Sequence, residues 1–203
     1  MGQDNSKTVS DKFVMDQEKI IRRQLFDVPD KDRVVQQAES EDSFFHIKTD
    51  TTGSCMFHAV ALWLTYQGRG RKTKDDVRQA VVNYLERNRI RDDGTDRANF
   101  IDPAYYSTDW DVYLFEMRKS KTWGDAICLQ ACHELYYVDI VLHQTGQRQR
   151  IYKSDKSKWP AIHLGFEECH YYAFFPLPDD PDERENMRNQ IIGIDCTTFY
   201  DEK

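Results

Sequence analysis

The spacing of apolar residues changes from helical to extended near residue 137, and that switch limits the folds open to the chain. From residue 56 to about residue 135 the apolar positions recur at helical spacing. One stretch carries Phe57, Val60, Ala61 and Leu64 and ends at Gly68 and Gly70, and a second carries Val77, Val81 and Leu85 behind Thr73, Asp75 and Asp76 as N-cap and first turn. Trp110, Tyr113, Leu114 and Met117 mark a third, and Ile127, Leu129, Ala131, Cys132 and Leu135 a fourth. From residue 138 onward the pattern is extended, with strands predicted over 138–143, 148–152, 161–166 and 170–175. One further strand, residues 44–50, precedes the helices, and residues 91–103 read as a loop. A strand, then helices, then strands joined by short links implies an α+β fold, with helices packed on a central, mainly antiparallel sheet. The link Phe166-Glu167-Glu168-Cys169 predicts a hairpin whose second strand begins at His170.

The chain has 203 residues, 39% hydrophobic and 13% aromatic, enough for one sizeable core. Residues 1–42 read as a polar extension with one amphipathic stretch over 11–26, residues 43–178 as the compact domain, and residues 179–203 as a loosely packed acidic tail after Pro176, Pro178 and Pro181. A net charge of −7 lacks the concentrated Lys and Arg that a nucleic-acid face requires, and the basic clusters 69–72 and 87–91 read as solvated helix ends. Five cysteines in no small-scaffold spacing argue against a disulfide framework and for a reducing compartment such as the cytoplasm. No apolar run approaches the length of a membrane span, and the expectation is a soluble monomer. Met1-Gly2-Gln3-Asp4-Asn5-Ser6 has the form acylated on Gly2, so membrane attachment is expected only with myristoylation there.

Cys55 sits where the first strand turns, through Thr51-Thr52-Gly53-Ser54, into the first helix. Unpaired amides and the positive end of the dipole at a helix N-terminus favour thiolate over thiol, so this is a place for a nucleophile. His170 supplies the imidazole such a nucleophile needs. Taken singly, each residue reads as ordinary core or strand furniture. Cys128, Cys132 and His133 on one helix do not complete a metal-ligand set, Cys169 faces away from His170, and Gly68-Arg69-Gly70 lacks the context of a phosphate loop. No metal or cofactor is implied. Tyr105, Tyr106, Trp110 and Tyr113 form an aromatic cluster expected to serve mostly as core.

Three blocks together resemble the ovarian-tumour (OTU) cysteine proteases, which have a papain-type fold and remove ubiquitin. Thr52-Gly53-Ser54-Cys55-Met56-Phe57-His58-Ala59-Val60 is similar to the family's Asp-Gly-Asn-Cys-Leu-Phe-Arg-Ala-Val box. Trp123-Gly124-Asp125-Ala126-Ile127-Cys128-Leu129-Gln130-Ala131 is similar to its Trp-Gly-Gly-x-x-Glu-Leu-x-Ala helix start, and His170-Tyr171-Tyr172 to its His-Tyr-Asn or His-Tyr-Asp box. The resemblance implies a thiol-dependent deubiquitinase with Cys55 as nucleophile, His170 as base and acid, Thr52, Gly53 and Ser54 as the oxyanion loop, and Trp123 in the core or walling the groove. It implies ubiquitin or a ubiquitin-like modifier as partner, held by residues 91–120. Two departures stand out: Thr52 replaces the box's Asp, and Tyr172 replaces the Asn or Asp that orients the imidazole. Asp50 is the first candidate for that orienting role, with Asp42 and Asp139 behind it. A non-catalytic ubiquitin-binding module is the alternative reading.

Overall fold

The lone strand ahead of the helices becomes one edge of the sheet that the later strands build. In the computed structural model of the chain, the residues described are 44–49, 51–104, 106–144 and 148–198. Strand β1 (Phe44–Lys48) is followed by helices α1 (Cys55–Tyr66) and α2 (Lys74–Arg87), a 3-10 turn (Arg97–Phe100), and helices α3 (Trp110–Met117) and α4 (Ala126–Tyr136). Strands β2 (Val138–His143), β3 (Arg150–Tyr152), β4 (Trp159–Glu167) and β5 (His170–Pro176) then lead into helix α5 (Pro181–Thr198). The strand order is β1-β5-β4-β2-β3. Three neighbouring pairs are antiparallel and one, β2 with β4, is parallel, because the chain crosses to the outer edge as β3 before returning on the other side of β2. This is the α+β arrangement expected from the order of periods.

Helix α1 is apolar around its circumference and lies at the centre, buried from Cys55 through Leu64. It packs on the inward side of β5, where Tyr171, Ala173 and Phe175 alternate with the partly exposed His170, Tyr172 and Phe174. Trp63 stacks on Phe175 with ring centroids 4.5 Å apart, and its Nε1 donates to the carbonyl of His163 at 2.8 Å. Helix α2 starts from a capping box in which Thr73 accepts from the Asp76 amide and Asp76 accepts from that of Thr73, and it buries Val77, Val81 and Leu85. Trp110 and Tyr113 are buried and stacked, so these members of the aromatic cluster are core; Tyr105 lies outside the described residues.

Two sequence expectations are corrected. The stretch over 91–103 is not irregular throughout, since it holds the 3-10 turn and a bridge between Ile90 and Asp96. The segment read as a loosely packed acidic tail is helical from Pro181 to Thr198 and buries Met187 and Ile191. Asp180 accepts from the amides of Asp182 and Glu183, both at 2.9 Å, and Pro181 fits the first helical position, where no amide hydrogen is needed. The prolines that end the sheet thus also start a helix. Arg69, expected in a solvated helix end, lies over the rings of Trp159 and Tyr136, at 4.8 and 5.5 Å from their centroids. The Gly2 motif, the amphipathic stretch over 11–26 and Asp42 lie outside the described residues.

Candidate active site

The turn before α1 spends its N-cap side chain elsewhere than on the helix. Ser54 occupies the N-cap but makes no capping bond, and the first turn holds no acidic residue. Its hydroxyl instead donates to the carbonyl of Ser120 at 2.8 Å and accepts from Arg78 at 3.0 Å. Cys55, the first residue of α1, therefore meets the positive end of a helix that no cap or carboxylate of that helix offsets. Gly53 has a φ of +100°, and a Cβ there would stand 2.4 Å from the carbonyl oxygen of Lys121, so only glycine fits.

Arg78 ties this turn to its surroundings. Its guanidinium, 2% exposed, donates to the carbonyls of Met117 at 2.9 Å and Gly53 at 3.1 Å and lies 4.2 Å over the Phe57 ring. Burial lowers the Arg78 pKa, while the charges of Cys128, Asp75 and Cys55 act to raise it. Of the other cysteines, Cys128 and Cys132 are pushed up by burial, which marks them as inert core thiols.

His170 is delivered by the hairpin the sequence predicts. Glu168 and Cys169 form its two-residue turn with φ of 47° and 66°, both left-handed, and His170 opens β5 opposite Glu167. The Thr49 hydroxyl, at the end of β1, lies 3.2 Å from His170 Nε2 and donates to the backbone carbonyl of Tyr171. Tyr172, in place of an amide or carboxylate, sets its ring edge-on to the imidazole at 4.8 Å and 77°. Cys55 opens α1, the helix packed on β5, and His170 opens β5. Cys55 itself is 1% exposed.

The remaining candidates divide. Asp50 lies outside the described residues. Asp139 is not an orienting group for His170: it accepts from the Ser154 amide at 3.2 Å and from the Ser157 hydroxyl, near the start of β2. That strand runs parallel to β4 from Trp159 onward, and His170 follows the opposite end of β4. Thr52 is exposed beside Gly53. Trp123 is half-buried against the core, and Gly124 beside it approaches α1 so closely that a Cβ would stand 2.6 Å from Met56 Cε. Asp125 caps α4 and accepts from the Cys128 amide and the Tyr113 hydroxyl, so the Trp-Gly-Asp block is a structural brace for the start of α1. Among the described residues no group of three or more His, Cys, Asp or Glu is gathered for a metal.

Thr49 and Arg78 are the site residues that sequence reasoning missed. Arg78 left a faint trace, as the charge beside Val77 on a helix face otherwise apolar, whereas nothing around Thr49 distinguishes it.

Comparison with known proteins bears on the family and the fold. The sequence pattern of the OTU-like cysteine proteases matches residues 50–175. The ovarian tumor domain-containing deubiquitinating enzyme 10 of Arabidopsis thaliana is 30% identical over 170 residues, covering 80% of this chain and 43% of that protein. A protein of Tipula iridescent virus is 30% identical over 145 residues, covering 64% of this chain and 16% of its own length. The chain thus spans less than half the length of these relatives. Among solved structures, the Hazara virus OTU bound to ubiquitin superposes with a TM-score of 0.53 at 17% identity, over 75% of this chain and 94% of that one.

Proposed function

Because the chain belongs to the OTU-like cysteine protease family, we propose that it is a thiol-dependent deubiquitinase, hydrolysing the bond that joins the C-terminus of ubiquitin to a lysine amine. The observation that supports this reading is Cys55 as the first residue of α1, behind a turn held by the buried Arg78, with His170 opening the strand on which α1 packs. His170 takes the thiol proton and Cys55 attacks the carbonyl carbon. The tetrahedral oxyanion is held by amides of the turn that Gly53 and Arg78 shape. As the C–N bond breaks, the imidazolium returns the proton to the departing amine, leaving a thioester. His170 then deprotonates water, which attacks that thioester, and the ubiquitin carboxylate leaves with the Cys55 thiol restored.

Ubiquitin as substrate is supported by the deubiquitinating relative and by the ubiquitin-bound neighbour of the same fold. The segment over 91–120 suits its globular body: α3 buries Trp110, Tyr113, Leu114 and Met117 and turns Val112 and Phe115, 44% and 62% exposed, outward. Among the described residues Cys55, Cys128, Cys132 and Cys169 are free thiols, which suits a reducing compartment.

The near-complete burial of Cys55 favours a second reading, a module that binds ubiquitin without cutting it. Ubiquitin carrying a thiol-reactive group at its C-terminus decides between them. Wild type is expected to form a covalent adduct that Cys55→Ala abolishes. Wild type that binds ubiquitin and forms no adduct is the non-catalytic module.

A further inference from the structure

We propose that Thr49 is the positioning residue for His170, taking the place of the missing Asn or Asp at position 172; this rests on the deubiquitinase reading above. The hydrogen-bond inventory carries the assignment. A threonine hydroxyl has one proton and two lone pairs. The Tyr171 carbonyl can only accept, so the Thr49 proton is committed to it, and towards His170 Nε2 the oxygen presents a lone pair. Nε2 is therefore the protonated nitrogen of the neutral ring, donating over 3.2 Å, and Nδ1 is left as the base for the Cys55 thiol.

Three features make this hydroxyl a better orienter than a mobile surface group. Thr49 is 4% exposed, so water does not compete for the contact. Its β-branched side chain has few rotamers, and the carbonyl it grips belongs to Tyr171, the residue after His170 on the same strand, so hydroxyl and ring are tied to one stretch of backbone. Tyr172 closes one side of the ring at 4.8 Å, limiting rotation out of the Thr49 contact. A neutral acceptor stabilises the imidazolium less than a carboxylate does, so the arrangement secures the tautomer and orientation with a smaller rise in basicity.

Thr49→Val keeps the shape and removes the acceptor, whereas Thr49→Ser keeps both hydroxyl functions. In ubiquitin-chain cleavage by the full chain, Thr49→Val is expected to lose about 10- to 100-fold in kcat with KM within about twofold, and Thr49→Ser to stay within about threefold of wild type. Losing an acceptor that favours imidazolium over neutral imidazole also moves the acid limb of the kcat/KM profile, which reports the base, to lower pH. A Thr49→Val enzyme with wild-type kcat, equal losses in Val and Ser variants, or a lowered melting temperature with an unmoved acid limb would overturn the assignment. So would full Thr49→Val activity alongside a collapse in Asp50→Ala.

Nitrogen NMR of the imidazole-labelled protein reads the tautomer directly. Nε2–H at His170 in wild type and its loss in Thr49→Val are expected, and Nδ1–H in wild type is the contrary result. That spectrum stands whether or not the protein cleaves ubiquitin, so failure of the Thr49 assignment and failure of the deubiquitinase reading are distinguishable.

Discussion

At Gly53 the space for a side chain is already occupied by backbone: a Cβ would meet the Lys121 carbonyl oxygen at 2.4 Å, and φ is +100°. Gly53→Ala therefore forces apart the two loops that Arg78 holds together through Gly53 and Ser120. The expected outcome is a stability loss of about 1–3 kcal/mol, read by urea unfolding, and a tenfold or greater fall in the rate of ubiquitin-probe adduct formation, ~1.4 kcal/mol or more in the barrier. Gly53, Cys55 and His170 are legible in the sequence because each belongs to a short block with a local reason for its residue type. Thr49 and Arg78 are not, because their roles are contacts with groups far along the chain. Thr49 reaches a ring 121 positions away, and Arg78 reaches carbonyls 25 and 39 positions away.

Between elements, what was readable depended on how local the signal is. The β4–β5 hairpin and helices α1 to α4 follow from periods and caps contained within each segment. Helix α5 shows a signal overlooked rather than absent: Asp180-Pro181-Asp182-Glu183 carries an N-cap, a first-position proline and first-turn acids, and Met187, Ile191 and Ile194 recur at helical spacing behind them. A thin apolar stripe in an acidic, proline-flanked segment obscured it. Asp180→Ala is expected to cost about 1 kcal/mol in urea unfolding, with faster hydrogen exchange concentrated over the first turn of α5. The parallel pairing of β2 with β4 left no comparable mark, since the two strands read alike whichever direction they are paired.

Across the molecule, the sheet carries a titratable pair that responds to pH. His143 Nε2 and His163 Nδ1 lie 2.9 Å apart, and the Gln149 amide donates to His143 Nδ1 at 3.2 Å, so the array runs from Gln149 to His143 to His163. Burial lowers both histidines from 6.5 to about 4, with the neighbouring His163 charge adding to the effect on His143. Above pH 6.5 both rings are neutral in folded and unfolded chain alike, and the stability is fully present. As pH falls from 6.5 towards 4 the unfolded chain takes up protons the folded one refuses, so stability declines across that window. Urea midpoints measured over this range are expected to fall towards acid, and His163→Gln to flatten the slope. An equal slope in the variant would assign it to other groups.

The amino-acid sequence by itself determined the α+β class, the order of the strands and of helices α1 to α4, the family, and the two residues, Cys55 and His170, that the proposed chemistry requires. Each follows from periodicity or short-range motif, and both act over a few neighbouring residues. Only the tertiary structure decided which strands are parallel, that Arg78 supports the turn before Cys55, and that the Thr49 hydroxyl lies within hydrogen-bonding distance of the His170 ring. Those outcomes depend on register, and a shift of one residue in β1 against β5 would carry the Thr49 hydroxyl to the other face of the sheet.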